Sequence, residues 1–136
     1  MKATVLLADW AQAINGKLYI QGGGWTRTSL NNGLLNCALA MRILVGWDET
    51  NKPHNVTVRL VDQDGNVVTP QIPGGRPIET INTFEVGRPA GMAPGSEIDA
   101  PAAMLFLGIP LAKGRYSFTL EIDREQFDTG ATFNVI

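Results

Sequence analysis

Apolar and polar side chains alternate with a period of two along much of this chain. In 115–123, Tyr116, Phe118, Leu120 and Ile122 fall on one side, and Ser117, Thr119 and Glu121 on the other. Successive side chains of a strand point to opposite faces, so this stretch predicts a strand with one buried and one wet face. The segment 55–61 repeats the pattern, with Val56, Val58 and Leu60 against Thr57 and Arg59. So does 131–136, with Ala131, Phe133 and Val135. Two longer runs, 34–45 and 102–111, are apolar at both parities and predict strands whose second face is covered by packing or by a partner. Segments 4–9 and 17–20 complete the set, and 84–87 adds a weaker strand. The residues 9–14 predict a single helical turn.

The punctuation agrees with this reading. Asn15-Gly16 is a hairpin signal, because both residues tolerate positive φ. Asn31-Asn32-Gly33, the run 62–66 and Ala112-Lys113-Gly114 are turns of related chemistry. The prediction is one all-β domain over 1–136, an antiparallel β-sandwich of immunoglobulin-like or jelly-roll-like kind with seven to nine strands.

Three consecutive glycines, Gly22 to Gly24, invite comparison with a phosphate-binding loop. Such a loop needs a helix N-terminus behind it to present free N–H groups. Here Trp25-Thr26-Arg27-Thr28 follows, a β pattern, so the glycines predict a bend from one sheet to the other with Trp25 packed against it. The segment 70–101 breaks the regularity. It holds six of the eight prolines and five glycines, with Gly-Arg-Pro at 75–77 and again at 87–89. Proline cannot donate to a sheet ladder, so the segment predicts a long extended loop. It is also apolar, carrying Ile72, Ile78, Ile81, Phe84, Val86, Met92 and Ile98.

Composition narrows the function classes. The 136 residues suffice for one core, and the net charge is −2 with eleven Lys and Arg scattered singly. No basic block marks a nucleic-acid or membrane partner. No apolar run is long enough to span a bilayer and no signal peptide is apparent, so the expected place of synthesis is the cytoplasm. Cys37 is the single cysteine, in phase with Leu39 and Met41, and reads as a buried structural thiol. His54 is the single histidine, set beside Pro53 in a turn. Two such ligands cannot make a zinc site, and no cofactor fingerprint is present, so neither metal nor cofactor is expected. Asp62 and Asp64 read as turn residues, because the glycine that follows is misplaced for a calcium loop. A carboxylate-only hydrolase is the surviving enzyme reading, on Asp48, Asp123 and Asp128. A carbohydrate or small-ligand module is the stronger alternative, on a platform of Tyr19, Trp25 and Trp47.

The leading expectation is a non-enzymatic structural or interaction protein that docks into a protein assembly or against copies of itself. Its predicted partner contacts are Arg76, Pro77, Arg88, Pro89 and Met92, in a stiff apolar loop that loses little entropy on docking. Three stretches, 6–25 ("LLADWAQAINGKLYIQGGGW"), 49–65 and 87–123, carry a resemblance as well. The chain is similar to a widespread bacterial and phage family of β-sandwich domains of about this size and of unknown function. The resemblance implies a fold and an ordered proline-rich loop, and no catalytic residue. A capsid-decorating or tail-associated role in a phage virion is the assembly expected by analogy of fold.

Overall fold

The computed structural model describes residues 1–136. In chain order the strands are β1 (Lys2–Ile14), β2 (Lys17–Gly23), β3 (Arg27–Thr28), β4 (Leu34–Val45), β5 (His54–Asp62), β6 (Glu79–Phe84), β7 (Ile98–Pro110), β8 (Gly114–Ile122), β9 (Glu125–Phe127) and β10 (Thr132–Val135). Sheet A runs β2-β1-β4-β7 and sheet B runs β3-β10-β8-β5-β6, with β9 beside β8. All pairings are antiparallel except the short parallel one between β3 and β10. The ten strands exceed the expected number by one. The short β3 and β9, of two and three residues, leave too little periodicity to count in advance.

The core lies where the alternation puts it. Leu39, Met41 and Ile43 of β4 face Val58 and Leu60 of β5 and Phe118, Leu120 and Ile122 of β8, all nearly sealed from solvent. The Phe118 ring lies 4.8 Å from Phe106 and 5.8 Å from Phe133, joining the sheets at their centre. Each such side chain contributes roughly 1.5–3 kcal/mol through removal from water.

The glycine run is the bend between the sheets. β2 closes in sheet A at Gly23 and β3 opens in sheet B at Arg27. Gly22 and Gly24 adopt φ of +58° and +88°, and the Gly24 N–H donates to the Leu7 carbonyl at 2.7 Å. A Cβ at Gly22 would fall on the exposed Asp9 carboxylate, which would have to turn aside, so the positive φ is the main reason for glycine there. Trp25 packs edge-on against Phe133 just beyond the bend.

Three expectations are corrected. Residues 9–14 are strand, continuing β1 to Ile14. The register of the hairpin, Trp10 opposite Gln21 and Ile14 opposite Lys17, overrides their helical composition. The loop 70–101 is not continuous: β6 occupies Glu79–Phe84, a proline-free run of Thr and Ile that pairs with β5, and β7 starts at Ile98 and passes through Pro101. The weak strand at 84–87 shrinks to Phe84, the last residue of β6.

One feature explains why 34–45 and 102–111 are apolar on both faces. β1 pairs with β4 only as far as Ala8 and thereafter with β2 alone. The end of this hairpin lies over the outer face of sheet A. Ala11 is buried there with Ala38 and Ala40, while Leu18 and Ala103 pack around them. Methyl-sized side chains on both surfaces let the backbones approach closely.

Candidate functional site

The five predicted partner contacts do not form one patch. Arg76 and Pro77 precede β6, whereas Arg88, Pro89 and Met92 follow it, so six residues of extended strand separate the groups by roughly 20 Å. Arg88 is already employed within the chain. Its guanidinium lies 4.2 Å over the Trp47 ring and donates to Thr50 Oγ1 at 2.8 Å and to the Trp47 carbonyl at 2.7 Å. Pro89 opens a turn closed by the Met92 N–H, which leaves the Met92 side chain exposed. Arg76 and Pro77 remain open to solvent.

Nor do Tyr19, Trp25 and Trp47 make a common platform. Trp25 sits against Phe133 and Trp47 lies beneath Arg88. Tyr19 alone presents an uncovered ring, 53% exposed on β2.

Most of the candidate carboxylates have local employment, while Asp48 stands exposed in the 3-10 turn Trp47–Glu49. Asp62 Oδ1 accepts the N–H groups of Asp64 and Asn66, and Asp128 Oδ1 accepts that of Gly130, so both shape turns. Asp123 meets His54, which is buried in β5 rather than lying in the expected turn. His54 Nδ1 is 2.5 Å from Asp123 Oδ2, and Nε2 is 2.6 Å from the Glu49 carbonyl. Burial opposes the charged ring, but the bonds to Asp123 and Glu49 outweigh it and hold the His54 pKa above its ordinary value. The hydrogen bond from His54 and that from the Asn55 N–H hold the Asp123 carboxyl below the usual range. Partial burial works against the Glu49 carboxylate, yet the Met1 ammonium at 3.1 Å and the Gly46 N–H keep its pKa low. The Cys37 thiol is sealed, and burial pushes its pKa up to about 12. This arrangement is a charged structural clasp across the base of the sandwich.

On one side the sheets end with β7 at the edge of sheet A and β6 at the edge of sheet B. The strands touch where Thr80 Oγ1 donates to Met104 Sδ at 3.4 Å. On one side of that contact lies a cleft of about 540 Å³ floored by Met41, Ile43, Val56 and Phe84, with Asn82, Glu85 and Asp99 at its polar points. On the other lies a shallower hollow of about 500 Å³ between 70–80 and 105–110. The expected loop 70–101 thus contributes to both hollows, together with the rest of β7 and, at the first, Ala13 and Gly16 of the β1–β2 hairpin.

The two outer faces differ sharply in polarity. On sheet B, Arg59 pairs with Glu79 and Glu121, and Ser117 bonds Thr132 at 2.8 Å. Sheet A and its hairpin instead expose Leu6, Trp10, Ile14, Tyr19, Ile20, Leu105 and Leu107, against Ile81 alone on the strands of sheet B. The run 102–111, apolar at both parities, was the sequence signal for Leu105 and Leu107 on this face. No local signal marked the open edges or the pairing of His54 with Asp123, which are 69 residues apart.

Among curated proteins and solved structures, no match to this chain is found. Residues 3–136 do match the model of a family of unknown function, DUF6941, and the chain belongs to that family.

Proposed function

We propose that this chain is a non-enzymatic interaction protein that docks into a larger protein assembly through the outer face of sheet A. One observation carries the reading. Seven large apolar side chains stand exposed on that face and its hairpin, while the opposite face, apart from Ile81 on its edge strand β6, is a solvated lattice of ion pairs and hydroxyls. A surface so divided suits one dry contact and one wet one. The employment of the candidate catalytic groups supports the non-enzymatic part, since Asp123 clasps His54 and Cys37 is sealed. A virion, with this sandwich as a decorating or tail-associated subunit, is an assembly of the proposed kind by analogy of fold.

Photo-crosslinking in the producing cell tests the proposal. A crosslinker at Leu107 or Tyr19 is expected to capture a defined protein partner, whereas one at Thr119 on sheet B captures none. Equal capture from both faces, or none from either, refutes the docking face. An adduct of twice the chain mass identifies the partner as a second copy.

A further inference from the structure

We propose that the open side of the sandwich is a strand acceptor. An extended segment of a partner protein, apolar on one face and basic on the other, adds to the free edge of β7 and lowers its apolar side chains into the cleft between the sheets. The inference rests on the interaction role above and assigns it a second, different surface with a stated partner chemistry.

The backbone of β7 supplies the first argument. Pro101 lies opposite Arg42 in the ladder with β4 and has no N–H, so that pair is a non-hydrogen-bonded one. The same conclusion follows at the other end of the strand, where Pro110 opposes Leu34 and the Leu111 N–H reaches the Gly33 carbonyl. Alternation then turns the backbone groups of Asp99, Ala103 and Leu105 away from β4, into the open edge. No backbone bond outside the regular ladders reaches them, and β7 has no second neighbour. The segment that links β6 to β7 leaves them free. Its bonds are the turns Met92 to Pro89 and Ser96 to Ala93, and Val86 accepting from Asn51. Pro101 shares the outward parity and offers no N–H, so the template for another strand is the stretch from Ala103 to Leu105 and its flanks, which carries no lysine or arginine.

The cleft supplies the second. A strand added to β7 alternates between the outer face and the inter-sheet space, placing every second side chain over the hollow beside Ala102 and Met104. The small Ala100 and Ala102 leave that hollow room, of about 540 Å³, for aliphatic side chains.

Charge selects the occupant. Glu85 and Asp99 line the cleft with no lysine or arginine beside them, and on the outer rim, where the alternate side chains of an added strand fall, Asp99 and Glu97 outnumber Arg42. A second copy offering the same edge would bring its own Glu85 and Asp99 to this rim and be repelled. A lysine- or arginine-bearing segment is matched to it.

The test uses the whole protein and two synthetic nine-residue peptides that alternate Val with Lys and Val with Glu. The Val-Lys peptide is expected to bind about tenfold more tightly, and to slow amide hydrogen exchange at Ala103 and Leu105. Leu105→Pro removes an outward N–H without touching the β4 ladder, and is expected to abolish binding while the fold persists. Should that variant not fold, the paired reversal Glu85→Lys and Asp99→Lys decides, and is expected to transfer the preference to the Val-Glu peptide. Absence of selective binding, or a preference unmoved by the reversal, overturns the proposal while the crosslinks from Leu107 stand or fall separately. Protection of the β7 amides that grows with protein concentration in the absence of peptide assigns the edge to a second copy, and also overturns it.

Discussion

Replacing Asp123 by Asn is expected to cost about 2 kcal/mol of stability near pH 6 and much less in alkali. The His54 side chain is 3% exposed, and both of its ring nitrogens face acceptors, the Asp123 carboxylate and the Glu49 carbonyl. Two acceptors require two N–H donors, which only the protonated ring supplies. The other groups around it are the Glu49 carboxylate with its Met1 ammonium, Lys52 near Asp123, and the Phe84 ring at 5.4 Å. Removing one partner of a buried ion pair costs roughly 3–5 kcal/mol. Asp123 is 45% exposed, and Asn can still accept from the Asn55 N–H, so water and the retained bond bring the loss down to about 2 kcal/mol. For 136 residues the unfolding entropy is about 0.3 kcal/mol per kelvin, which turns this loss into a fall in Tm of about 7 °C. The pH dependence follows from the two shifts. The His54 pKa is raised, so its contribution is full below about pH 6.5 and is lost as pH climbs through the folded value. The Asp123 pKa is lowered, so its contribution is present above about pH 4 and is lost as pH falls through the folded value. Melting curves of both proteins at about pH 5.5 and about pH 9, with His54 ring resonances to report its protonation, check the argument. An equal deficit at both pH values would show that His54 carries no structural proton.

Gly24→Ala faces open space and is expected to cost about 1 kcal/mol through positive φ, and Gly22→Ala slightly more, because it must also displace the exposed Asp9 carboxylate. Urea midpoints that rank the two in the opposite order refute the close approach. Arg88→Ala is expected to lose about 1–2 kcal/mol and to open 85–97 to proteolysis, and Arg88→Lys is expected to restore little, since an ammonium lacks the planar fork. Equal protease resistance of the wild type and both variants argues against the Arg88 tether. Cys37, its pKa pushed up to about 12, is expected to resist maleimide labelling until denaturant unfolds the chain, and labelling of the native protein near neutral pH refutes its burial.

Much of the sandwich was legible in the sequence because each sheet presents one face to the core. Phe118, Leu120 and Ile122 announce their burial through spacing alone, and Asn15-Gly16 supplies the hairpin turn with φ of 51° and 74°. The glycine bend was readable for the same local reason. What escaped was set by tertiary partners. Residues 9–14 are held as strand by their pairing with β2, and Glu79–Phe84 by pairing with β5, although prolines flank that segment closely. Arg88 looked like a free contact because nothing in its neighbourhood announces Trp47, 41 residues earlier. The candidate site was legible only in part. Residues 70–101 were singled out, but the cleft exists because two edges end side by side, which is a property of topology.

The order in which strands enter the sheets bears on how the chain comes off the ribosome. Sheet A is complete once residue 110 has emerged, while sheet B still awaits β8 and β10. Until then Leu39, Met41 and Ile43 have no Phe118, Leu120 or Phe133 to cover them. The closing parallel pair joins Arg27 to Asn134 across most of the chain, and loop-closure entropy makes such pairings late and slow. The nascent protein therefore passes through a half-built state with one greasy sheet exposed. It is at that stage, more than in the finished fold, that holding chaperones would find it and crowded expression would drive it into inclusion bodies.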